Sequence, residues 1–137
     1  MTGLEGFAKR RKMKLGHISL RVSDLSRSLS FYQALGFKEK RRIELEKFRS
    51  TLLFLQADNG AELELVFNWD DTSSPELGNG FLHLGLEVED LEQFLSRLRA
   101  QGIAGDCQIA TTPEGDKICF LTDPDGYQIE LIEPKAK

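Results

Sequence analysis

Apolar and polar residues first alternate regularly along this chain at residues 15–22. Within 15–22, apolar Ile18, Leu20 and Val22 share one side of an extended backbone, and polar His17, Ser19 and Arg21 share the other. A period of two with one apolar side predicts a strand buried on one face. Asp24 then suits a helix N-cap. An apolar stripe of Leu25, Leu29, Tyr32 and Leu35 predicts a helix that Gly36 ends.

Three further strands are predicted after this helix, over 37–45, 51–56 and 61–68. A charged turn joins the first two, and the Asp-Asn-Gly turn at 58–60 is a hairpin signal before the third. In that third strand the polar Glu62, Glu64 and Asn68 alternate with Leu63 and Leu65. Glu64 and Asn68 therefore point to the same side.

The same pattern then recurs at an offset of 66 residues. Positions 17–66 align with 83–132 without a gap, and 15 of the 50 aligned pairs are identical, including both histidines, His17 and His83. Strands over 81–88, 118–122 and 127–133 are predicted, with a weak strand within 103–117 and a helix that begins after Asp90 and ends at Gly102. Such self-similarity indicates a duplicated unit.

The predicted fold is α+β, with two tandem βαβββ modules, each an open sheet with a helix on its back. We expect a single domain over 15–134, made of modules 15–68 and 81–133 joined by the linker 69–80, which is rich in Pro, Gly, Ser and Asp. Residues 1–14, with five basic residues between 9 and 14, are expected to be a flexible lead-in.

Composition and net charge disfavour some classes of binding partner for this domain. Hydrophobic residues make up 40% and charged residues 29% of the 137 residues, as in soluble globular proteins. A net charge of −4 disfavours nucleic acid or an anionic membrane as the partner. The chain opens with no signal-peptide pattern. Two cysteines in a chain without such a signal are expected to be reduced thiols in a cytoplasmic protein.

The repeat also duplicates one possible ligand pair. His17 and Glu64 are 64 − 17 = 47 residues apart, and so are His83 and Glu130, 130 − 83 = 47. Each pair lies on the face opposite its predicted helix. Two imidazoles and two carboxylates suit a divalent transition metal with positions left for water or substrate. Inert residues copied with the module are the alternative.

These residues and their surroundings resemble the vicinal-oxygen-chelate superfamily, and within it the short bacterial glyoxalase I (lactoylglutathione lyase) family. The resemblance covers 15–133 and is carried by the histidine motifs, by Glu-Leu-Val-Phe-Asn-Trp at 64–69, by Glu-Leu-Gly at 76–78 and by Asp-Pro-Asp-Gly-Tyr-Gln-Ile-Glu-Leu-Ile-Glu at 123–133. It implies that the modules form a curved mixed sheet around a metal site, with His17, Glu64, His83 and Glu130 as metal ligands. It also implies Arg21 and Asn68 as contacts to the γ-glutamyl end of glutathione.

The activity that this resemblance implies is isomerisation of the hemithioacetal of methylglyoxal and a thiol to the S-lactoyl thioester, through an enediolate. Glu130 is the first choice for the carboxylate that moves the proton, with Glu64 as its counterpart. One divalent metal per site is expected, Ni²⁺ first and Co²⁺ or Zn²⁺ next. Glutathione is the first choice of thiol, but Thr112 stands where the family carries a lysine, which leaves another thiol open. An open sheet predicts a homodimer.

Three other functions within the same fold stay open from the sequence. An acyl-CoA epimerase of this fold usually has Gln where Glu64 stands. A ring-cleaving dioxygenase needs only two histidines and one carboxylate around iron. A non-enzymatic drug-binding member needs no metal and therefore does not require four metal-ligand residues. Bound metal in the purified protein separates the enzymes from the binder.

Overall fold

The computed structural model describes residues 12–136, and its elements follow the predicted order. The first module contains β1 (His17–Val22), α1 (Leu25–Leu35), β2 (Lys38–Leu45), β3 (Ser50–Gln56) and β4 (Glu62–Asn68). The second contains β5 (Leu84–Glu87), α2 (Leu91–Ala100), β6 (Ala110–Thr111), β7 (Lys117–Thr122) and β8 (Gln128–Glu133). A 3-10 turn, Glu46–Phe48, joins β2 to β3. The predicted tandem βαβββ fold is confirmed.

Strand order explains how residues far apart in sequence become neighbours. The two four-stranded sheets have the orders β1-β4-β3-β2 and β5-β8-β7-β6. In each, the first strand is parallel to the last, while the other pairs are antiparallel. Ser19 pairs with Glu64 and Gly85 pairs with Glu130 across the parallel pairs. Each histidine motif therefore lies beside the strand that carries its glutamate.

Local signals set both helices. The Asp24 side chain accepts a hydrogen bond from Arg27 N at 2.9 Å, and the Asp90 side chain accepts one from Gln93 N at 3.0 Å. Each aspartate thereby satisfies a backbone donor that has no partner within the helix. Gly36 ends α1 with φ 114°, a conformation that a side chain disfavours. Neither helix of the described chain is long and apolar enough to cross a membrane.

Several details differ from the sequence predictions. The strand predicted over 81–88 is only Leu84–Glu87, because its parallel pairing with β8 covers only those four residues. The weak strand within 103–117 is the two-residue β6. Helix α1 buries Ser28 and Phe31 with Tyr32 and Leu35, whereas Leu25 and Leu29 are only partly buried. Most of the lead-in predicted over 1–14 lies outside the described residues.

Buried hydrogen bonds link the two modules, whose apolar side chains share one core. The Ser23 backbone N–H donates to Asp125 Oδ2 at 3.1 Å, and Tyr32 Oη–H donates to Asp123 Oδ2 at 2.7 Å. In the opposite direction, Tyr127 Oη–H donates to the carbonyl of Arg21 at 2.8 Å. Burial raises the pKa of Asp123, and the Tyr32 hydroxyl partly offsets this by stabilising the carboxylate. The turn before β8 is therefore held against the end of β1.

We expect Tyr32→Phe to lower the free energy of unfolding by about 1–3 kcal/mol, because it leaves an oxygen of the buried Asp123 carboxylate unpaired. The Tyr32 hydroxyl lowers the Asp123 pKa, so its removal raises that pKa further and costs stability at pH values where the carboxyl group is ionised. The loss should therefore be larger at about pH 7 than at about pH 4, where more of Asp123 is protonated. Urea unfolding at both pH values measures it.

The matched control for this change is Tyr127→Phe. It removes a hydrogen bond to the neutral carbonyl of Arg21, for which about 0.5–1.5 kcal/mol is expected with little dependence on pH. Equal losses for the two variants at both pH values would contradict the role assigned to the Asp123 carboxylate.

Candidate metal centre and active site

In each module the structure brings the predicted histidine and glutamate together. His17 Nε2 lies 3.8 Å from Glu64 Oε1, and His83 Nε2 lies 3.3 Å from Glu130 Oε1. With metal–ligand bonds of about 2.0–2.2 Å, adjacent ligands of one octahedral ion are about 3 Å apart. The nitrogen–oxygen distance in each pair is therefore close to that between two ligands of the same ion. Imidazole nitrogen and carboxylate oxygen are also donors that suit a divalent transition metal.

The four side chains do not converge within one chain. Among the described residues, 12–136, no three His, Cys, Asp or Glu side chains lie close enough together to hold an ion. Each pair is half of the four-ligand set that the resemblance implies, and its histidine is accessible, with 42% of the His17 side chain and 34% of the His83 side chain exposed. The sequence leaves open whether one chain or two complete the set, and the described residues of one chain form two separate pairs.

The two glutamates differ in what holds them. The Ser19 hydroxyl donates to Glu64 Oε1, and Glu64 is buried, with 9% of its surface exposed. At the equivalent position of the second module stands Gly85, where 19 + 66 = 85. A glycine has no hydroxyl to offer Glu130. The first carboxylate is thus restrained by a neighbour that the second one does not have.

Two aromatic residues that the sequence pattern did not single out complete the surroundings of the histidines. The Phe54 ring contacts His17 edge-on with centroids 5.3 Å apart, and Phe120 contacts His83 with centroids 5.4 Å apart. Each phenylalanine pairs across the sheet with the glutamate of the same module's pair, Phe54 with Glu64 and Phe120 with Glu130. The repeat contained this signal, because Phe54 and Phe120 are identical at the 66-residue offset.

Arg21 and Asn68 lie near one end of the first module's sheet. Arg21 Nη1 donates to the Ser73 carbonyl at 3.3 Å and lies 3.9 Å from Asp71 Oδ2. Asn68 Oδ1 accepts a hydrogen bond from the Ser50 hydroxyl at 2.8 Å. This bond fixes the orientation of the amide and leaves its N–H groups as donors. The loop 69–80 therefore contributes contacts to Arg21 that the sequence did not indicate.

Comparisons with known proteins agree with these features. Residues 14–131 match the model of the Glyoxalase/Bleomycin resistance protein/Dioxygenase superfamily. The lactoylglutathione lyase of Neisseria meningitidis serogroup A is 40% identical over 133 residues, covering 90% of this chain and 93% of that protein. The lactoylglutathione lyase of Haemophilus influenzae is 37% identical over 129 residues, covering 90% and 95%.

Solved structures give the same result. The trypanothione-dependent glyoxalase I of Leishmania major superposes with a TM-score of 0.74 and 31% identity, covering 89% of this chain and 87% of that one. The relatives do not favour the epimerase or the drug-binding alternative. The chain therefore belongs to the glyoxalase/bleomycin resistance protein/dioxygenase superfamily and, within it, to the lactoylglutathione lyases of the glyoxalase I type.

Proposed function

We propose that two copies of this lyase form a homodimer in which each site holds one divalent metal between His17 and Glu64 of one copy and His83 and Glu130 of the other. The observation that carries the proposal is that each module presents a preformed imidazole–carboxylate pair, while one chain does not bring the two pairs together. A dimer with twofold symmetry supplies both halves at two equivalent sites.

Exposed apolar side chains beside the ligand pairs support this dimer. Leu15 is 79% exposed next to the His17 strand, Leu82 is 72% exposed beside His83, and Phe120 is 44% exposed while its ring contacts His83. Apolar groups around an accessible ligand pair indicate a surface that another protein covers. A second copy is the partner that also completes the ligand set.

Ni²⁺ is the metal we propose first, with Co²⁺ and Zn²⁺ as alternatives. Two nitrogens and two oxygens with room for further ligands suit a six-coordinate ion, whereas a closed structural zinc site usually includes thiolates. Neither cysteine belongs to the candidate pairs, since Cys119 is buried in the core and the Cys107 thiol donates to the carbonyl of Phe120. When bound, the metal would stabilise the negative charge that develops on the two vicinal oxygens of the substrate.

Glu130 is the residue that we propose as the base. It would take the proton from C1 of the hemithioacetal and return it to C2, which gives the S-lactoyl thioester. Such a carboxylate must be able to move between ligand and base. Ser19 holds Glu64 by a hydrogen bond, and Gly85 gives Glu130 no such hydroxyl, which favours Glu130 for the proton transfer and Glu64 for a fixed role.

Arg21 and Asn68 are proposed to bind the polar end of the thiol, since each lies four residues after a proposed ligand on the same strand, 21 − 17 = 4 and 68 − 64 = 4. A guanidinium group can bind a carboxylate through two hydrogen bonds, and an amide offers a donor and an acceptor. Relatives are named lactoylglutathione lyase, and one is trypanothione-dependent. Glutathione is therefore the first thiol to test. A cytoplasmic location stays a prediction.

The test of this proposal is metal removal and reconstitution. We expect chelation to abolish formation of the S-lactoyl thioester from methylglyoxal and glutathione, and Ni²⁺ to restore more activity than Co²⁺ or Zn²⁺. Elemental analysis should give one metal ion per His17/Glu64–His83/Glu130 set. Full turnover by metal-free protein would overturn the metal proposal, and turnover with trypanothione but not with glutathione would overturn only the choice of thiol.

A further inference from the structure

The two cysteines of this chain come near each other in the second module, where Cys107 contacts the residue that follows Cys119, although 119 − 107 = 12 residues separate them in sequence. Cys119 lies on β7 and is buried, with 2% of its surface exposed, while Cys107 precedes β6 and is only partly buried. The Cys107 thiol donates to the carbonyl of Phe120 at 3.1 Å. Burial raises the pKa of the Cys119 thiol to about 12, and contact with the Cys107 thiol adds to the shift. Both cysteines are free thiols.

Accessibility gives the two thiols different reactivity. Cys107 borders an open cleft of about 310 Å³ that Ala104, Gly105 and Thr122 also line. The Arg99 guanidinium donates to the carbonyls of Gly105 and Cys107 and so holds the segment that carries this thiol. A thiol that reacts with a small molecule must be accessible to it. Cys107 is therefore placed to attack a small molecule, and buried Cys119 is placed to react only with Cys107.

We propose that Cys107 and Cys119 are a redox modification site at which a low-molecular-weight disulfide forms an intrachain Cys107–Cys119 bond. The Cys107 thiolate attacks one sulfur of the small disulfide, whose S–S bond breaks and releases the first thiol. The Cys119 thiolate then attacks Cys107 Sγ and releases the second thiol. The two cysteine protons end on the two released thiols, the protein dithiol is oxidised, and the small disulfide is reduced.

The position of this site relates it to the ligand pair of the second module. Cys119 directly precedes Phe120, whose ring contacts His83 and whose backbone pairs with Glu130. The new bond would tie the segment before β6 to the strand that carries this ring. None of these contacts depends on the proposed metal or dimer, so the inference stands apart from the proposed function.

The experiment treats the full-length metal-loaded protein with glutathione disulfide, then unfolds it and alkylates the remaining thiols. We expect the wild type to lose both free thiols, to yield one linked peptide containing Cys107 and Cys119, and to recover both thiols with dithiothreitol. Both thiols remaining available for alkylation, or linked peptides that join two chains, would overturn the proposal.

Two variants separate the roles of the thiols. Cys119→Ala should stop at the mixed disulfide, with one glutathionyl group on Cys107. Cys107→Ser, a change in a partly exposed loop that leaves the core intact, should keep its buried Cys119 free and gain no glutathionyl group. Glutathionylation of Cys119 in Cys107→Ser, or an unmodified Cys107 in Cys119→Ala, would contradict the assigned order of attack.

Discussion

Replacing Glu130 with Gln lowers the turnover number of the metal-loaded enzyme by about 10²–10⁴-fold, the usual contribution of a positioned general base. The amide keeps an oxygen that can face His83 but cannot accept the C1 proton at neutral pH. Initial rates of S-lactoyl thioester formation at saturating hemithioacetal measure this effect. Circular dichroism should show an unchanged fold, because Glu130 is only partly buried and its strand keeps its backbone pairing.

The control on the same strand is Glu133→Gln. Glu133 accepts a hydrogen bond from Leu91 N at 2.9 Å, which a glutamine oxygen can also accept. This variant should keep near-parental turnover, so a loss limited to Glu130→Gln is not a general effect of losing a charge on β8. Metal content must be measured for both, because Glu130 is also a proposed ligand. Near-parental turnover of metal-loaded Glu130→Gln would show that the base is elsewhere.

Gly85→Ser tests why Glu130 rather than Glu64 moves the proton. A Cβ at Gly85 would lie 3.4 Å from Ile132 Cδ1 and 3.9 Å from Glu130 Oε1, which are ordinary contacts. The new hydroxyl would then reproduce beside Glu130 the bond that Ser19 makes to Glu64. We expect a lower turnover number with the metal retained. An unchanged turnover number in a variant shown to form this hydrogen bond would contradict the asymmetry.

Mixing two inactive variants restores activity if the site spans two chains. His17→Ala damages the first half-site, and His83→Ala damages the second, so each variant alone should be nearly inactive. In a mixed dimer one of the two sites receives His17 from one chain and His83 from the other, and is complete. With random exchange, about half of the dimers are mixed and about a quarter of the parental activity per chain returns.

The control for complementation mixes His17→Ala with Glu64→Gln. Both changes lie in the first half-site, so every site in every dimer keeps one defect and no activity should return. Co-expression with two different affinity tags allows the mixed dimers to be isolated and assayed directly. A site shared between chains gives each isolated His17→Ala/His83→Ala dimer one complete site. If these dimers showed no activity and bound metal poorly, the shared site would be contradicted.

The helices were predictable because their signals are local. Asp24 and Asp90 cap them, and Gly36 ends the first, through contacts within a few residues of chain. Strand lengths were less predictable, because a strand extends only as far as its partner pairs with it. The predicted 81–88 strand became Leu84–Glu87 for this reason, and His83 therefore lies just before β5.

By itself the sequence determined the duplicated modules, the family and the identity of each histidine–glutamate pair, because a repeat copies spacing and face together. Only the tertiary structure decided that each histidine lies close to its glutamate and that the two pairs lie apart from each other. Parallel pairing of the first and last strands brings each pair together, and the packing of the modules leaves the pairs apart. The tertiary structure also decided the Asp123–Tyr32 contact and the contact of Cys107 with Phe120, the residue after Cys119. Such contacts depend on long-range packing, which periodicity along one chain does not encode.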